Sequence, residues 1–484
     1  MNFIVIVFLI VICVRIFIKN INSFTNEAIN IDTLSITAAR KQLNQALRDS
    51  FNLPSNFNST PTGEEFRQVA NGFFQAEGHV SCRIKGKYFV PVCVINQNLS
   101  PKSLEFFIIL WNVLGRTGSL TLVKNKHGKI VIRLSSESWD TILNVYAKYF
   151  SLIYGEKFIA FQKLSMIKNL TSNPLNLNPS SLAQAIQIVY SLAVNGNNRK
   201  LSLSEQLALF GISQTNSNTS IYTNNFTKMT ILFIIGFILG DGTLFLRIRN
   251  SSAGSIWLIP TLLLPQLKNK YNDHFFTILT NFFKSLDINT FIINNVKASD
   301  MPYGDISNAT QSGNDNQKEK KDMTTLKIES IVSIFEKLLP VMKHYSYYFY
   351  WKYDQYELMS RVALLVNAKA HFTLYGFKTI LEIIFSYTNN RALPKDYWID
   401  IIESWFKAQA NMHKSGENNI QAVYGIGTLK ATQTIIAWKC VFTKHSNLKS
   451  RQFGFTNEIE AREALKNAIK YRDNSIKSWV DSLK

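Results

Sequence analysis

One seven-residue pattern occurs twice in this chain, and any fold must give both copies a place. The first is Gly72-Phe73-Phe74-Gln75-Ala76-Glu77-Gly78 and the second is Gly236-Phe237-Ile238-Leu239-Gly240-Asp241-Gly242. Each reads Gly-Phe, three residues, an acid, Gly. The agreement runs on downstream: Arg83 and Arg247 lie six residues past their acids, and Lys85 and Arg249 lie eight past. Matched residue types at matched offsets mark an internal duplication, and so two related half-domains in one chain.

The residues before each acid are helical in character, since 66–76 and 229–240 hold no proline. Gly72 and Ala76 lie four apart on one helical stripe, as do Gly236 and Gly240. A glycine inside a helix costs about 1 kcal/mol relative to alanine. Two small residues on one stripe therefore imply close approach by another helix. Gly78 and Gly242 are expected to end these helices as left-handed caps. Each acid then sits in a last turn, where the helix dipole disfavours negative charge by about 0.3–1 kcal/mol. A divalent cation shared by two converging carboxylates would offset that twice-made choice.

Beyond each motif the chain alternates as a half-buried strand with a basic open face, at 79–85 and 244–249. In the first half a second strand, 88–97, follows across a turn at Gly86. A helix is expected over 103–114, then a hairpin of 119–124 and 129–135 around Lys126-His127-Gly128, then helices over 139–150 and 158–167. The second half repeats this less cleanly, with a helix over 274–285 and a strand pair at 290–294 and 325–329. The organisation expected is an apolar segment 1–20, a leader 21–60, half-domains 61–170 and 227–410, and a linker 171–226. That linker carries an accessory helix over 182–194, a polar insert occupies 297–322, and a C-terminal module spans 425–484.

Composition bears on the partner. A formal charge of +20 with 46% hydrophobic residues describes a basic chain with real cores and excludes an acidic disordered one. Such a balance favours a polyanion, either nucleic acid or an anionic membrane surface. The four cysteines form no C-x-x-C pair and read as buried thiols. Residues 3–14 are apolar up to Arg15, short of the roughly 20 that a spanning helix needs. Membrane contact by residues 3–18 stays open. Abundant Asn and Ile resemble translation of an A·T-rich genome, in keeping with a mitochondrial, organelle-encoded protein.

Two carboxylates between basic sheets suit a hard cation, Mg²⁺ or Mn²⁺, which prefers oxygen ligands. Such an ion can activate water and stabilise the leaving oxygen of a phosphodiester. One acid per half suits attack on both strands of a duplex. Arg83, Lys85, Lys124, Arg133, Arg247 and Arg249 are the candidate DNA contacts.

The paired motif resembles that of the LAGLIDADG homing endonucleases in their double-motif, single-chain form, over roughly residues 60–405. The resemblance implies an α+β fold of two pseudo-symmetric αββαββα half-domains forming a β-saddle, in a monomer with an internal pseudo-two-fold axis. It further implies metal-dependent cleavage of double-stranded DNA, with Glu77 and Asp241 as catalytic metal ligands. The family tends to carry a lysine near the start of each half's last helical region, and Lys157 and Lys352 occupy comparable places. Glu77 in place of the usual Asp, the polar Gln75 and the insert are departures. Maturases that act on host intron RNA share the fold and supply the alternative function. The C-terminal run Phe453-Gly454-Phe455-Thr456, followed by Glu460-Ala461-Arg462-Glu463-Ala464, resembles the AP2 DNA-binding domain. The alternative there is a small cap of three strands and one helix.

Overall fold

A computed structural model describes residues 40–41, 43–45, 61–86, 88–125, 128–172, 178–192, 200–212, 229–250, 256–294, 323–387, 394–411, 420–426, 433–440, 451–454 and 458–483. The apolar segment 3–18 and the insert 297–322 lie outside the described residues. Among the described residues, no helix is long and apolar enough to cross a membrane. The chain divides into two compact units, Met1–Gly240 and Asp241–Lys484.

The first unit opens with α1 (Pro61–Glu77), β1 (His79–Lys85) and β2 (Tyr88–Asn98). Gly86, at φ +56°, makes the tight turn between these strands, a conformation that favours glycine. Next come α2 (Pro101–Val113), β3 (Ser119–Lys124) and β4 (Ile130–Ser136). Ser100 caps α2 through a reciprocal box with Ser103, and Pro101 stands where a missing N–H costs nothing. The strands form one antiparallel sheet in the order β1-β2-β4-β3. Its apolar face meets a phenylalanine core: Phe73 packs edge-on to Phe106 with centroids 5.0 Å apart, and Phe74 stacks on Phe150 at 4.2 Å.

Where one helix is expected over 139–150, a π-helical turn, Thr141–Tyr146, runs into the short Ala147–Tyr149. The Tyr146 hydroxyl donates to Thr117 O at 3.1 Å and anchors it. Then follow α3 (Gly155–Leu170), α4 (Pro179–Ser191), the short α5 (Leu203–Ala208) and α6 (Ile231–Leu239). The accessory helix α4 starts earlier than the apolar pattern suggests, because Asn178 caps it and Pro179 occupies its first turn. Every residue of α6 is buried, and Thr230 caps its start.

The small-residue stripes meet where α1 packs on α6. A Cβ on Gly72 would lie 1.9 Å from Phe233 O, and one on Gly236 would lie 1.9 Å from Val69 O. A Cβ on Gly240 would lie 2.3 Å from the Ala76 Cβ. No side chain fits at those three positions; at Gly72 and Gly236 the contact is backbone to backbone, and at Gly240 it is with the Ala76 methyl.

The second unit holds β5 (Thr243–Asn250), β6 (Ile256–Leu267), α7 (Lys270–Ser285), β7 (Phe291–Asn294) and β8 (Met323–Glu329), in the sheet order β5-β6-β8-β7. With α6 before it and α8 (Tyr353–Asn367) after it, the αββαββα order of the first half recurs. Strand β6 is not among the elements expected from the sequence: its near-continuous apolar run is broken by Pro260 and Pro265, which argue against a strand. Both prolines are tolerated because each faces a paired strand on one side only. Pro260 lies beyond the last β6–β8 pair, Thr261–Glu329, and Pro265 lies beyond the last β5–β6 pair, Thr243–Leu263. In β2, Pro91 likewise lies beyond the terminal Cys93–Ser136 pair.

After β8 a π-helical turn, Val332–Leu338, and the 3₁₀ segment Ser346–Lys352 lead into α8, then α9 (Leu374–Tyr387) and α10 (Lys395–Asn411). The C-terminal module is a three-stranded sheet of β9 (Ile420–Ile426), β10 (Gln433–Cys440) and β11 (Arg451–Gly454), packed on α11 (Glu458–Asp481). A Tyr375–Asp481 hydrogen bond and Lys477 Nζ, 5.6 Å from the Tyr375 ring centroid, tie α11 to α9.

Candidate active site

Glu77 is the last residue of α1 and is half-buried, whereas Asp241 is exposed, two residues past the end of α6. The expectation of left-handed glycine caps is wrong, since neither Gly78 nor Gly242 has a positive φ. Gly78 is instead required by crowding. Its N–H donates to Phe74 O at 2.8 Å, and a Cβ would lie 2.5 Å from that oxygen and 2.7 Å from the Phe74 ring. Gly242 is buried, and its carbonyl serves a lysine.

Both candidate lysines reach the backbone beside their acids. Lys157 Nζ donates to Phe74 O at 3.1 Å and to Ala76 O at 2.5 Å, at the C-terminal end of α1. Lys352, itself buried, donates from Nζ to Gly242 O at 2.7 Å. An ammonium on terminal carbonyls complements the helix dipole. At α1 the chain thus supplies part of the charge that an acid in the last turn demands. Two residues before each lysine the backbone has a positive φ: Gly155 at +57° and Tyr350 at +38°. The first half meets this requirement with glycine and the second holds a tyrosine there under strain.

Two side chains that sequence reasoning did not assign to the site belong to its frame. Gln75, buried where the second motif has Leu239, accepts from Tyr154 N–H at 2.8 Å and so fixes the start of the helix that carries Lys157. Gln266 Nε2 donates to Asp241 Oδ2 at 3.1 Å. A signal for Gln266 was present, for it lies six residues past Pro260 as Gln97 lies six past Pro91. It is unreadable without the strand register, and Gln97 turns instead to Asn98 N–H, accepting at 2.8 Å. His79, beside the first acid, has its pKa lowered by burial of its ring and then by the Lys157 ammonium.

On the open faces, Arg83, Lys85 and Arg249 are exposed and Arg247 is half-buried. Arg133 shares that face in the first sheet and donates from Nε to Asn96 Oδ1 at 2.9 Å. Lys124 differs. By register it shares the parity of Leu120 and Leu122, on the side facing the core, and it reaches solvent only because it ends β3. Arg83 pairs with Glu137, Arg247 with Glu329, and Lys327 with Glu329 at 2.7 Å. Burial and then the neighbouring Arg249 lower the Arg247 pKa, while burial and then Arg247 lower that of Lys327.

As metal donors, Glu77 and Asp241 offer carboxylate oxygen, which fits a hard cation. Among the described residues no group of three His, Cys, Asp or Glu gathers. A cation held by either acid would complete its shell largely with water and substrate oxygen, as Mg²⁺ commonly does.

A helix running up to a motif acid, at its last residue or two residues beyond, and feeding a four-stranded antiparallel sheet of order 1-2-4-3, twice in one chain, is the fold of the LAGLIDADG homing endonucleases. One solved structure with this fold is the I-LtrWI LAGLIDADG homing endonuclease bound to target DNA, at TM-score 0.51 and 15% identity, covering 68% of this chain and 99% of that one. Another is the I-SmaMI LAGLIDADG homing endonuclease bound to cleaved DNA, at TM-score 0.50 and 17% identity, covering 67% and 97%. No protein-family model matches the sequence, and no curated protein is similar enough to count as a relative. The AP2 resemblance of the C-terminal module finds no support in these comparisons.

Proposed function

We propose that the chain is a site-specific endonuclease that cuts double-stranded DNA by divalent-metal-assisted hydrolysis and promotes the mobility of its intron. The observation that carries this reading is the duplicated acid, each copy with a lysine ammonium on the carbonyl of an adjoining residue, the one before Glu77 and the one after Asp241. The two structural neighbours are described as homing endonucleases bound to DNA, one of them cleaved.

In this reading Glu77 and Asp241 each serve as a metal ligand, and Mg²⁺ or Mn²⁺ when bound would activate water and stabilise the departing oxygen. Gln266 orients Asp241 through Oδ2. Lys157 and Lys352 place positive charge beside each acid, where negative charge grows on the phosphate and leaving oxygen. The open-face bases Arg83, Lys85, Arg133, Arg247 and Arg249 grip phosphates and read base edges, with Lys124 at the margin. The protein acts as a monomer on DNA, and we place it in the mitochondrion. No specific observation favours the RNA maturase reading or membrane contact.

The test is selection followed by cutting. Duplexes randomised over the footprint are incubated with the protein in Ca²⁺, and retained sequences are then exposed to Mg²⁺ or Mn²⁺. The expected result is an enriched site that is cut on both strands. Tight sequence-specific retention without cutting in any divalent metal would reject the nuclease.

A further inference from the structure

The duplication extends to an ion pair that neither motif contains. Cys82 and Leu246 each lie five residues past their acids, and they pair with Pro91 and Pro260 respectively. Those prolines are therefore equivalent, and so are the residues after them, Val92 and Thr261. Thr261 pairs with Glu329, the last residue of β8. Cys93 pairs with Ser136, the last residue of β4, so Glu137, the residue just past that strand, falls at the register position opposite Val92. Glu137 and Glu329 thus stand at one position in the two halves. Each is followed by a serine, Ser138 or Ser330, whose carbonyl accepts from Ile142 or Ile334 as the next helical segment begins.

Each glutamate holds the arginine at matched offset: Arg83 with Glu137, Arg247 with Glu329. An exposed ion pair adds little stability, so a pair made twice at one register position calls for another reason. Free arginines next to the acids would bind any phosphate. Held at one edge by a carboxylate, a guanidinium keeps its remaining N–H donors in a fixed plane, suited to the paired acceptors of a guanine edge. The carboxylate also repels phosphate.

We propose that Glu137 and Glu329 are positioning residues for sequence specificity, aiming Arg83 and Arg247 at one base pair in each half of a DNA target. This rests on the DNA-binding reading above. The halves are not equal. Glu137 retains 53% side-chain exposure and serves Arg83, whereas Glu329 retains 22% and holds Lys327 as well as Arg247. In the second half burial of Arg247 Nε leaves the guanidinium less room to turn than Arg83 has. Discrimination is therefore sharper at the Glu329 position.

The test compares the intact protein with Glu137→Gln and Glu329→Gln in selection from randomised duplexes, and measures binding to unselected duplex across a salt series. Glutamine keeps the size and removes the charge, and thermal unfolding checks that each variant folds. The proposal expects each variant to lose sequence preference at one position in its own half, the larger loss from Glu329→Gln. It also expects tighter binding of random duplex, with the log–log salt slope steeper by about 0.9 for each further phosphate that the released arginine neutralises. Variants that select the intact protein's site with unchanged preference would overturn the proposal while leaving the nuclease reading in place. An intact protein that enriches no duplex would reject both.

Discussion

At the scale of single residues, the site is a set of short contacts with separable consequences. Gly72 has no room for a methyl group, because the obstacle is the Phe233 carbonyl and not a flexible side chain. Gly72→Ala should lower unfolding stability by roughly 1–3 kcal/mol or more, read by urea denaturation. A loss below about 0.5 kcal/mol would show that the helices can slide apart. Lys157 and Lys352 join backbone to chemistry. Lys157→Met and Lys352→Met should each slow cleavage by about 10²-fold or more while DNA binding at matched salt changes far less. Equal losses in binding and cleavage would mark the lysines as plain phosphate contacts. The acids stand out in the sequence because their motif repeats, whereas Lys157 and Lys352, 80 and 111 residues past their acids, are reached only through the family resemblance. Gln266 was not legible, since its contact with Asp241 depends on the register of β6, a strand whose two prolines disguise it.

At the scale of elements, the duplication is deeper than the motif but is met by different means in the two halves. The turn that opens α3 uses Gly155 where the segment before α8 uses Tyr350, both with positive φ. Gly155→Ala should strain that turn, displace Lys157 and depress cleavage in parallel with Lys157→Met. Cleavage that survives Gly155→Ala would mean that the turn adapts. The segment between α8 and α9 carries a pH signal. Burial and then the Lys369 charge lower the His371 pKa to about 4, and its Nδ1 is buried without a hydrogen-bond partner. Above the ordinary value near 6.5 the residue is neutral in both folded and unfolded chains. As pH falls from there towards 4, the unfolded chain takes up the proton first, so stability drops across that window. Unfolding of the intact chain should show the drop, and His371→Gln should flatten it. An unchanged profile in the variant would exclude His371 as its source. The start of α4 differs from its sequence expectation because capping by Asn178, more than apolar period, sets where that helix begins. In the same way, Gly78 answers to crowding by Phe74 and not to a left-handed turn.

At the scale of the whole molecule, internal pairs such as Arg83–Glu137 and Lys327–Glu329 cancel charge against charge, and +20 is what remains once every acid is counted. The remainder predicts DNA binding that weakens steeply with salt, by about 0.9 in log–log slope for each phosphate contacted. Binding that ignores salt between 50 mM and 200 mM, roughly the range over which counterion release is felt, would contradict a polyanion partner. The α+β class and the two-fold repetition of αββαββα were written in the chain, whereas the identity of the C-terminal module was not. Its three strands and one helix are common to many small domains, and its local residue run carries too few constraints to select among them. The central claim is that two acids, one per half, serve cutting and not binding. The most direct measurement is cleavage of the selected duplex by the intact protein, Glu77→Gln and Asp241→Asn, with protein saturating the DNA in every case. The account predicts double-strand cutting by the intact protein, and loss of it in each variant with binding retained. Double-strand cutting at undiminished rate by either variant would contradict it.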